Sequence, residues 1–261
     1  MRIVVCLKQA VDVSQLKVDP VSRQLLLASA PRKISDFDKN ALEEAIRVRE
    51  KVAGSEVFTL TVTAEDAKTT LREALAIGAD KAYVVNDAGL KDVDTLGTAR
   101  VLSAAIRKIG NVDLVLCGET SLDSFSGLVG SRLAELLGFA QVGSVRKLSV
   151  EGDSIVAERT VEDSNEVVRA KLPVLVSVTR EINQPRIPSL MMIMKASKKE
   201  IVSLSLLDLG FSGDALASKI EILDVSSPKS ERKKIKITGD SVQEVAEKLA
   251  KALIQEGVVG R

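Results

Sequence analysis

The chain has no histidine and no tryptophan, one tyrosine (Tyr83), and two cysteines in 261 residues. The missing histidines exclude His-based triads, His–metal centres and imidazole proton shuttles. Aromatics at 2% leave too few rings for stacking on single-stranded nucleic acid. Excess charge of one sign is missing as well: 37 Lys and Arg face 36 Asp and Glu, for a net charge of +1. No general pull toward nucleic acid or an anionic membrane follows. The opening apolar stretch Ile3–Leu7 is too short for a signal peptide. No run approaches the roughly 18 residues of a membrane span. Cys6 and Cys117 sit in apolar runs without C-x-x-C spacing, which predicts two buried thiols in a reduced compartment and no disulfide framework. The expectation is a cytoplasmic protein with no nucleic-acid partner and no direct membrane insertion.

What is present is a core. Hydrophobic residues make up 45% of the chain, enough for one large α/β domain. Through residue 145, strand-like and helix-like patterns alternate. Short apolar runs at Arg2–Leu7, Glu56–Thr63, Lys81–Val85 and Val112–Cys117 suit parallel strands buried on both faces. Helical spacing covers 38–52, 67–77, 94–109 and 126–137, with Asp38 and Asp94 as N-caps and Gly78, Gly110 and Gly138 at the far ends. Residues 15–28 read as a hairpin-like excursion turning at Asp19-Pro20. Val142–Val150, Ser154–Val161 and Glu166–Leu172 read as antiparallel strands before the apolar strand Val174–Val178. The fold class predicted is α/β: a doubly wound, mostly parallel, Rossmann-like sheet with added antiparallel strands and an extended C-terminal arm. Its parts are a nucleotide-binding domain over 1–180, an arm over 181–210, and a linker with a terminal helix over 211–261.

Ligands of such sheets bind beyond the carboxyl ends of the strands, where strand order reverses. The loop from Gly118 to Arg132 is the most informative strand end. It runs Gly118-Glu-Thr-Ser-Leu-Asp123-Ser-Phe-Ser126-Gly-Leu-Val-Gly130-Ser-Arg132. Gly127 and Gly130 permit close backbone approach, and free N–H groups at a helix start favour an anion such as a phosphate. Ser126, Ser131 and Arg132 add donors and charge, although neither Walker A nor G-x-G-x-x-G is present. Ordinary helix capping is the competing reading, as it is for Asp94-Thr95-x-x-Thr98. Residues 181–210 carry Pro185 and Pro188, then Leu190-Met-Met-Ile-Met194 and Lys195, Lys198 and Lys199. They read either as core or as a partner-contacting arm. The basic residues 229–236 read as a solvated face, and 240–255 as an amphipathic helix that docks on its own domain or on a partner subunit. No carboxylate pair, nucleophile–base pair or metal cluster stands out, so any redox step belongs to a cofactor.

Several blocks bear a resemblance to one family over nearly the whole chain. They are Val4-Val-Cys-Leu-Lys-Gln-Ala-Val-Asp12, Asn40–Arg47, Ala74–Asp80, Val112–Gly118, Asp123–Gly130, Arg169–Ser177 and Asn183-Gln-Pro-Arg-Ile-Pro-Ser-Leu-Met-Met-Ile-Met-Lys-Ala196. Together they resemble the β subunit of electron transfer flavoproteins. The resemblance implies a heterodimer with an α subunit that carries its own FAD. It implies a second adenine nucleotide in this chain: AMP with a structural role in conventional members, and in electron-bifurcating ones a second FAD that takes hydride from NADH. Asp94-Thr-Leu-Gly-Thr98 and Asp38 resemble the bifurcating type. The family's Asn-Pro-x-Asp or Asn-Pro-x-Cys loop reads Ser35-Asp-Phe37-Asp38 here.

The implied cofactor site comprises Cys6, Lys8, Ser35, Phe37, Asp38, Ala64, Asp94, Thr95, Thr98, Gly118, Glu119, Thr120, Asp123, Ser124, Phe125, Ser126, Gly127, Leu128, Val129, Gly130, Ser131 and Arg132. Pro185, Ile187, Leu190, Met191 and Lys195 are the implied recognition residues for redox partners such as a dehydrogenase, a quinone oxidoreductase or a ferredoxin. The expectation is an NADH-oxidising, bifurcating FAD subunit. The alternatives are a conventional AMP-binding subunit and a stand-alone ATP-binding regulatory domain.

Overall fold

The structure, a computed structural model, describes residues 1–228 and 233–259. In chain order the elements of the first part are β1 (Arg2–Cys6), β2 (Gln9–Val11), β3 (Arg32–Ile34), α1 (Asp36–Lys51), β4 (Glu56–Thr63), α2 (Lys68–Ile77), β5 (Lys81–Asn86) and α3 (Thr95–Ile109). Then come β6 (Leu114–Gly118), α4 (Val129–Leu137), β7 (Ala140–Glu151), β8 (Ser154–Thr160), β9 (Asn165–Lys171), β10 (Val174–Val178), α5 (Leu190–Ala196) and β11 (Ile201–Leu204). Nine strands form one sheet in the order β11-β5-β4-β1-β6-β10-β7-β8-β9. The pairs from β11 to β7 are parallel, and β7-β8-β9 close the other side as an antiparallel meander. The expected fold class is the one observed.

The central strands are apolar on both faces because helices cover both. On one face Ile3, Val5 and Val57 pack with Ala41, Leu42 and Ile46 of α1 and Leu71 and Leu75 of α2. On the other, Val4, Leu60 and Val115 pack with Leu102 and Ile106 of α3 and Leu133 of α4. All five residues of β10 are buried, as its unbroken apolar sequence requires.

Three local readings change. Asp38 does not cap α1: the helix begins at Asp36 behind Ser35, and Asp38 lies within its first turn. The helix expected from Ser126 begins at Val129, because Phe125 and Gly127 both adopt positive φ, which no helix accommodates. Residues 181–210 are not arm throughout: Ile201–Leu204 returns as β11 and extends the sheet edge beside β5. The excursion after β2 does fold back, through an antiparallel bridge between Val18 and Leu25.

The first compact unit ends at Val225, and the second spans 226–261. Within the second, α6 (Val242–Gln255) starts at Ser241, whose hydroxyl accepts the Glu244 N–H at 3.2 Å. The Glu244 carboxylate reaches back to the Asp240 N–H at 2.9 Å, a reciprocal cap. Lys229 and Arg232 of the basic stretch lie outside the described residues.

Candidate functional site

β1 and β6 are neighbours, but the chain leaves them toward opposite sides of the sheet. Their carboxyl ends therefore form the topological switch point. A cleft of about 390 Å³ opens there, within the roughly 300–1,000 Å³ of small-molecule sites. Cys6, Leu60, Cys117 and Leu133 contribute apolar lining. Lys8, Asp38 and the Gly118–Ser121 turn line it as well, as do Asp94, Thr95 and Thr98 from the start of α3 and Ser126–Gly130 from the start of α4.

Asp38 holds this arrangement together. Its carboxylate accepts the Lys8 N–H and the Gly118 N–H, each at 2.8 Å, so one side chain on α1 ties the ends of β1 and β6. Burial pushes its pKa up to about 6, against the pull of those two N–H bonds and of the Lys8 ammonium. Gly118 allows the contact: a Cβ there would lie 2.5 Å from Phe37 Cβ and 2.8 Å from Asp38 Oδ1.

The polar rim is organised around Lys8. Its ammonium donates to Asp123 Oδ1 at 2.7 Å, Ser124 Oγ at 3.1 Å and Ser121 Oγ at 3.3 Å. Burial raises the Asp123 carboxyl, but hydrogen bonds from Lys8 and Ser121 outweigh it and leave the pKa below its ordinary value. The start of α4 has no side-chain cap, and Leu128 precedes it. The capping explanation for this loop therefore fails. The N–H groups of Val129, Gly130 and Ser131 come before the first helical bond, Arg132 N–H to Leu128 O. A Cβ on Gly130 would stand 3.0 Å from Cys117 Sγ, so glycine brings the helix start close to the floor.

At the other end, Asp94 caps α3 as the sequence suggests, accepting the Leu96 N–H at 2.9 Å and the Gly97 N–H at 2.8 Å. These bonds, the Gly97 one foremost, hold its carboxyl below the ordinary range. Thr98 Oγ1 donates to Asp94 O at 2.9 Å, and Thr95 Oγ1 accepts from the Arg132 guanidinium, which links α3 to α4. Glu119 has a raised pKa through burial and then the neighbouring Glu181.

Of the expected site residues, Cys6, Lys8, Asp38, Asp94, Thr95, Thr98, Gly118, Glu119, Thr120, Ser124, Ser126, Gly127, Leu128, Val129 and Gly130 share the cleft. Ser35, Phe37, Ala64, Asp123, Phe125, Ser131 and Arg132 stand outside its lining. Phe37 is buried under the Arg180 guanidinium, Phe125 is exposed, and Ser131 Oγ accepts from Gln141 Nε2. The sequence reading missed the apolar walls, among them Leu60, Val62, Val93 and Leu102, as well as Ser121 and Ile222. Leu60 and Val62 had a signal, the period-two alternation of β4. Ile222 had none. Among the described residues, no group of three or more His, Cys, Asp or Glu side chains is placed to hold a metal.

The arm leaves the sheet after β10. Pro185 is half-buried, whereas Ile187 is 93% exposed, Leu190 74% and Met191 64%, with Lys195 exposed beside them. Its base is fixed. Arg186 Nε donates to Glu43 Oε2 at 2.7 Å and Arg186 Nη1 to Glu50 Oε1 at 2.8 Å. Asn183 Nδ2 donates to Glu44 Oε2 and to Asn40 O, each at 3.0 Å.

Comparison with known proteins accords with this geometry. The electron transfer flavoprotein domain family matches residues 24–209, more than two thirds of the chain. An electron transfer flavoprotein subunit beta of Thermoanaerobacterium thermosaccharolyticum is 40% identical over 256 residues, covering 95% of this chain and 98% of that protein. The caffeyl-CoA reductase–Etf complex subunit CarD of Acetobacterium woodii is 34% identical over 262 residues, covering 99% and 100%. An electron transfer flavoprotein subunit beta of Megasphaera elsdenii is 31% identical over 272 residues, again covering 99% and 100%. With matches of this extent to β subunits, the chain belongs to the electron transfer flavoprotein family, as one of its β subunits.

Proposed function

We propose that the chain pairs with an electron transfer flavoprotein α subunit and holds FAD in the cleft at the β1–β6 switch point. One observation carries this reading. The uncapped start of α4 and the Asp94-Thr95-x-x-Thr98 turn of α3 line the same cleft. A mononucleotide such as AMP needs the first alone; a dinucleotide uses both. The residues fit such a group, since the absence of Cβ atoms at Gly118 and Gly130 lets the β6 end close on Asp38 and the uncapped α4 start close on Cys117, so that both line one cleft. Backbone N–H groups of 129–131 are offered to a pyrophosphate. The apolar floor excludes water from whatever lies over Cys6 and Cys117.

When bound, FAD would supply the redox chemistry, taking hydride from NADH and passing electrons singly to a low-potential acceptor and to the α-subunit flavin. The chain's own part is placement. Asp38 fixes the strand ends, Lys8 holds the Asp123–Ser124 rim, and Thr95 and Thr98 would meet the distal part of the ligand from the α3 end of the cleft. The arm at Ile187–Met194 presents an apolar surface beside lysines for a dehydrogenase, quinone oxidoreductase or ferredoxin. The relative whose name places it in a complex with caffeyl-CoA reductase fits an acceptor of that kind.

Replacing both threonines tests the reading. Thr95→Val with Thr98→Val is expected to weaken FAD binding roughly 5- to 100-fold, the worth of two modest hydrogen bonds, and to leave AMP binding unchanged. Equal loss for FAD and AMP, or no loss for FAD, would contradict it.

A further inference from the structure

Cys6 and Cys117 are the chain's two cysteines, and both line the cleft floor. β1 and β6 pair in parallel register as Ile3 with Leu114, Val4 with Val115 and Val5 with Leu116. One residue further on, that register sets Cys6 beside Cys117. Paired residues of adjacent strands share a face and lie about 4.7–4.9 Å apart. Both side chains indeed join the same apolar cluster. Each is 7% exposed, and neither is in a disulfide. Burial pushes both thiols above their ordinary pKa, and the nearby Cys117 and Asp38 push Cys6 further. The pair is therefore held as two neutral thiols. A dication on these two sulfurs would lack further ligands, since among the described residues no group of three or more His, Cys, Asp or Glu side chains is placed to hold one, whereas a group that condenses with two neutral thiols needs only the two sulfurs.

We propose that Cys6 and Cys117 form a vicinal dithiol site at the floor of the cleft, one that takes a trivalent arsenical across both sulfurs. The step balances without an oxidant. In R–As=O the arsenic–oxygen bond and two S–H bonds break and two As–S bonds form. The oxygen leaves with both thiol protons as water, and no electrons change hands. The product is neutral, as the surroundings demand. It fills the floor beneath Gly118 and Gly130, so nucleotide and arsenical exclude one another. That exclusion rests on the nucleotide reading above; the dithiol itself does not.

The test uses the full-length folded chain, phenylarsine oxide and native mass spectrometry, with circular dichroism to confirm the fold. The expected result is one phenylarsenic per chain with loss of two protons. Dithiothreitol should remove it and a monothiol should not. Cys6→Ser and Cys117→Ser should each abolish monothiol-resistant binding. No adduct on the folded wild-type chain, or a monothiol-resistant adduct in either variant, would overturn the proposal. With free FAD at about 100 Kd the reaction should slow about 100-fold. An unchanged rate with FAD demonstrably bound would overturn the floor location. Failure of FAD to bind at all would count against the nucleotide reading, and the adduct would still decide the dithiol.

Discussion

At the scale of single residues, Asp38 shows how one buried carboxylate assembles a site. Its residue type is visible in the sequence, but its role is not. A helix-start pattern suggests a cap, whereas the structure spends both oxygens on N–H groups 30 and 80 residues away. Its pKa of about 6 has a consequence for stability. A carboxyl whose folded pKa is raised holds its proton more tightly in the folded state. The stabilisation is complete below the unfolded pKa and is lost as pH rises through about 6. Between pH 4.5 and 7 the wild type should lose about 2 kcal/mol relative to Asp38→Asn, which cannot ionise. Urea unfolding of both proteins at the two pH values measures this, because other carboxylates cancel in the difference. Gly118→Ala acts on the same clamp. Its Cβ would force Phe37 and Asp38 apart, at a cost of about 1–3 kcal/mol and with weaker nucleotide binding.

At the scale of elements, α1 does two jobs. Its first turn holds the cleft through Asp38, and its later turns hold the arm through Glu43, Glu44 and Glu50. Glu43 is only 3% exposed, yet the Arg186 guanidinium and Arg47 outweigh the effect of burial and hold its carboxyl below the usual range. Arg186→Met should cost about 1–3 kcal/mol at pH 7, since it strips a buried carboxylate of its main partner. The depressed pKa gives a stabilisation present above the unfolded glutamate value, which begins to fall there and is lost as pH falls through the lower folded pKa. The gap between wild type and variant should therefore narrow by pH 4 in urea melts. Hydrogen exchange over 183–196 should quicken at pH 7. None of this was legible locally, because Glu43 and Arg186 are 143 residues apart and look like ordinary surface charges. The parallel strands were legible, because double-sided burial writes continuous apolar runs into 2–6, 114–118 and 174–178. β11 was not. It is an edge strand, half-buried over Ile201 and Val202, and it follows a segment dominated by methionine and lysine.

At the scale of the molecule, strand order brings residues 6–8, 38, 94–98 and 117–130 to one end of the sheet. The polar half of the cleft was readable from serine, glycine and aspartate at strand ends, with the resemblance supplying the choice among them. The apolar half was not, since Leu60, Leu102 and Leu133 carry the same signal as any core residue. On the proposed reading, function at this scale divides between the cleft and the arm. Leu190→Asp should weaken docking to an acceptor roughly 30-fold or more, as for a central apolar anchor, with cofactor content unchanged. Electron-transfer kinetics against acceptor concentration, beside a flavin spectrum, separates the two.

The central claim is that the cleft of this chain holds FAD, and cofactor content tests it most directly. The chain is co-expressed with its α subunit, and the purified heterodimer is denatured and its FAD and AMP quantified. Two FAD and no AMP per heterodimer is the predicted result. One FAD with one AMP would contradict it and make the subunit a structural partner to a single flavin.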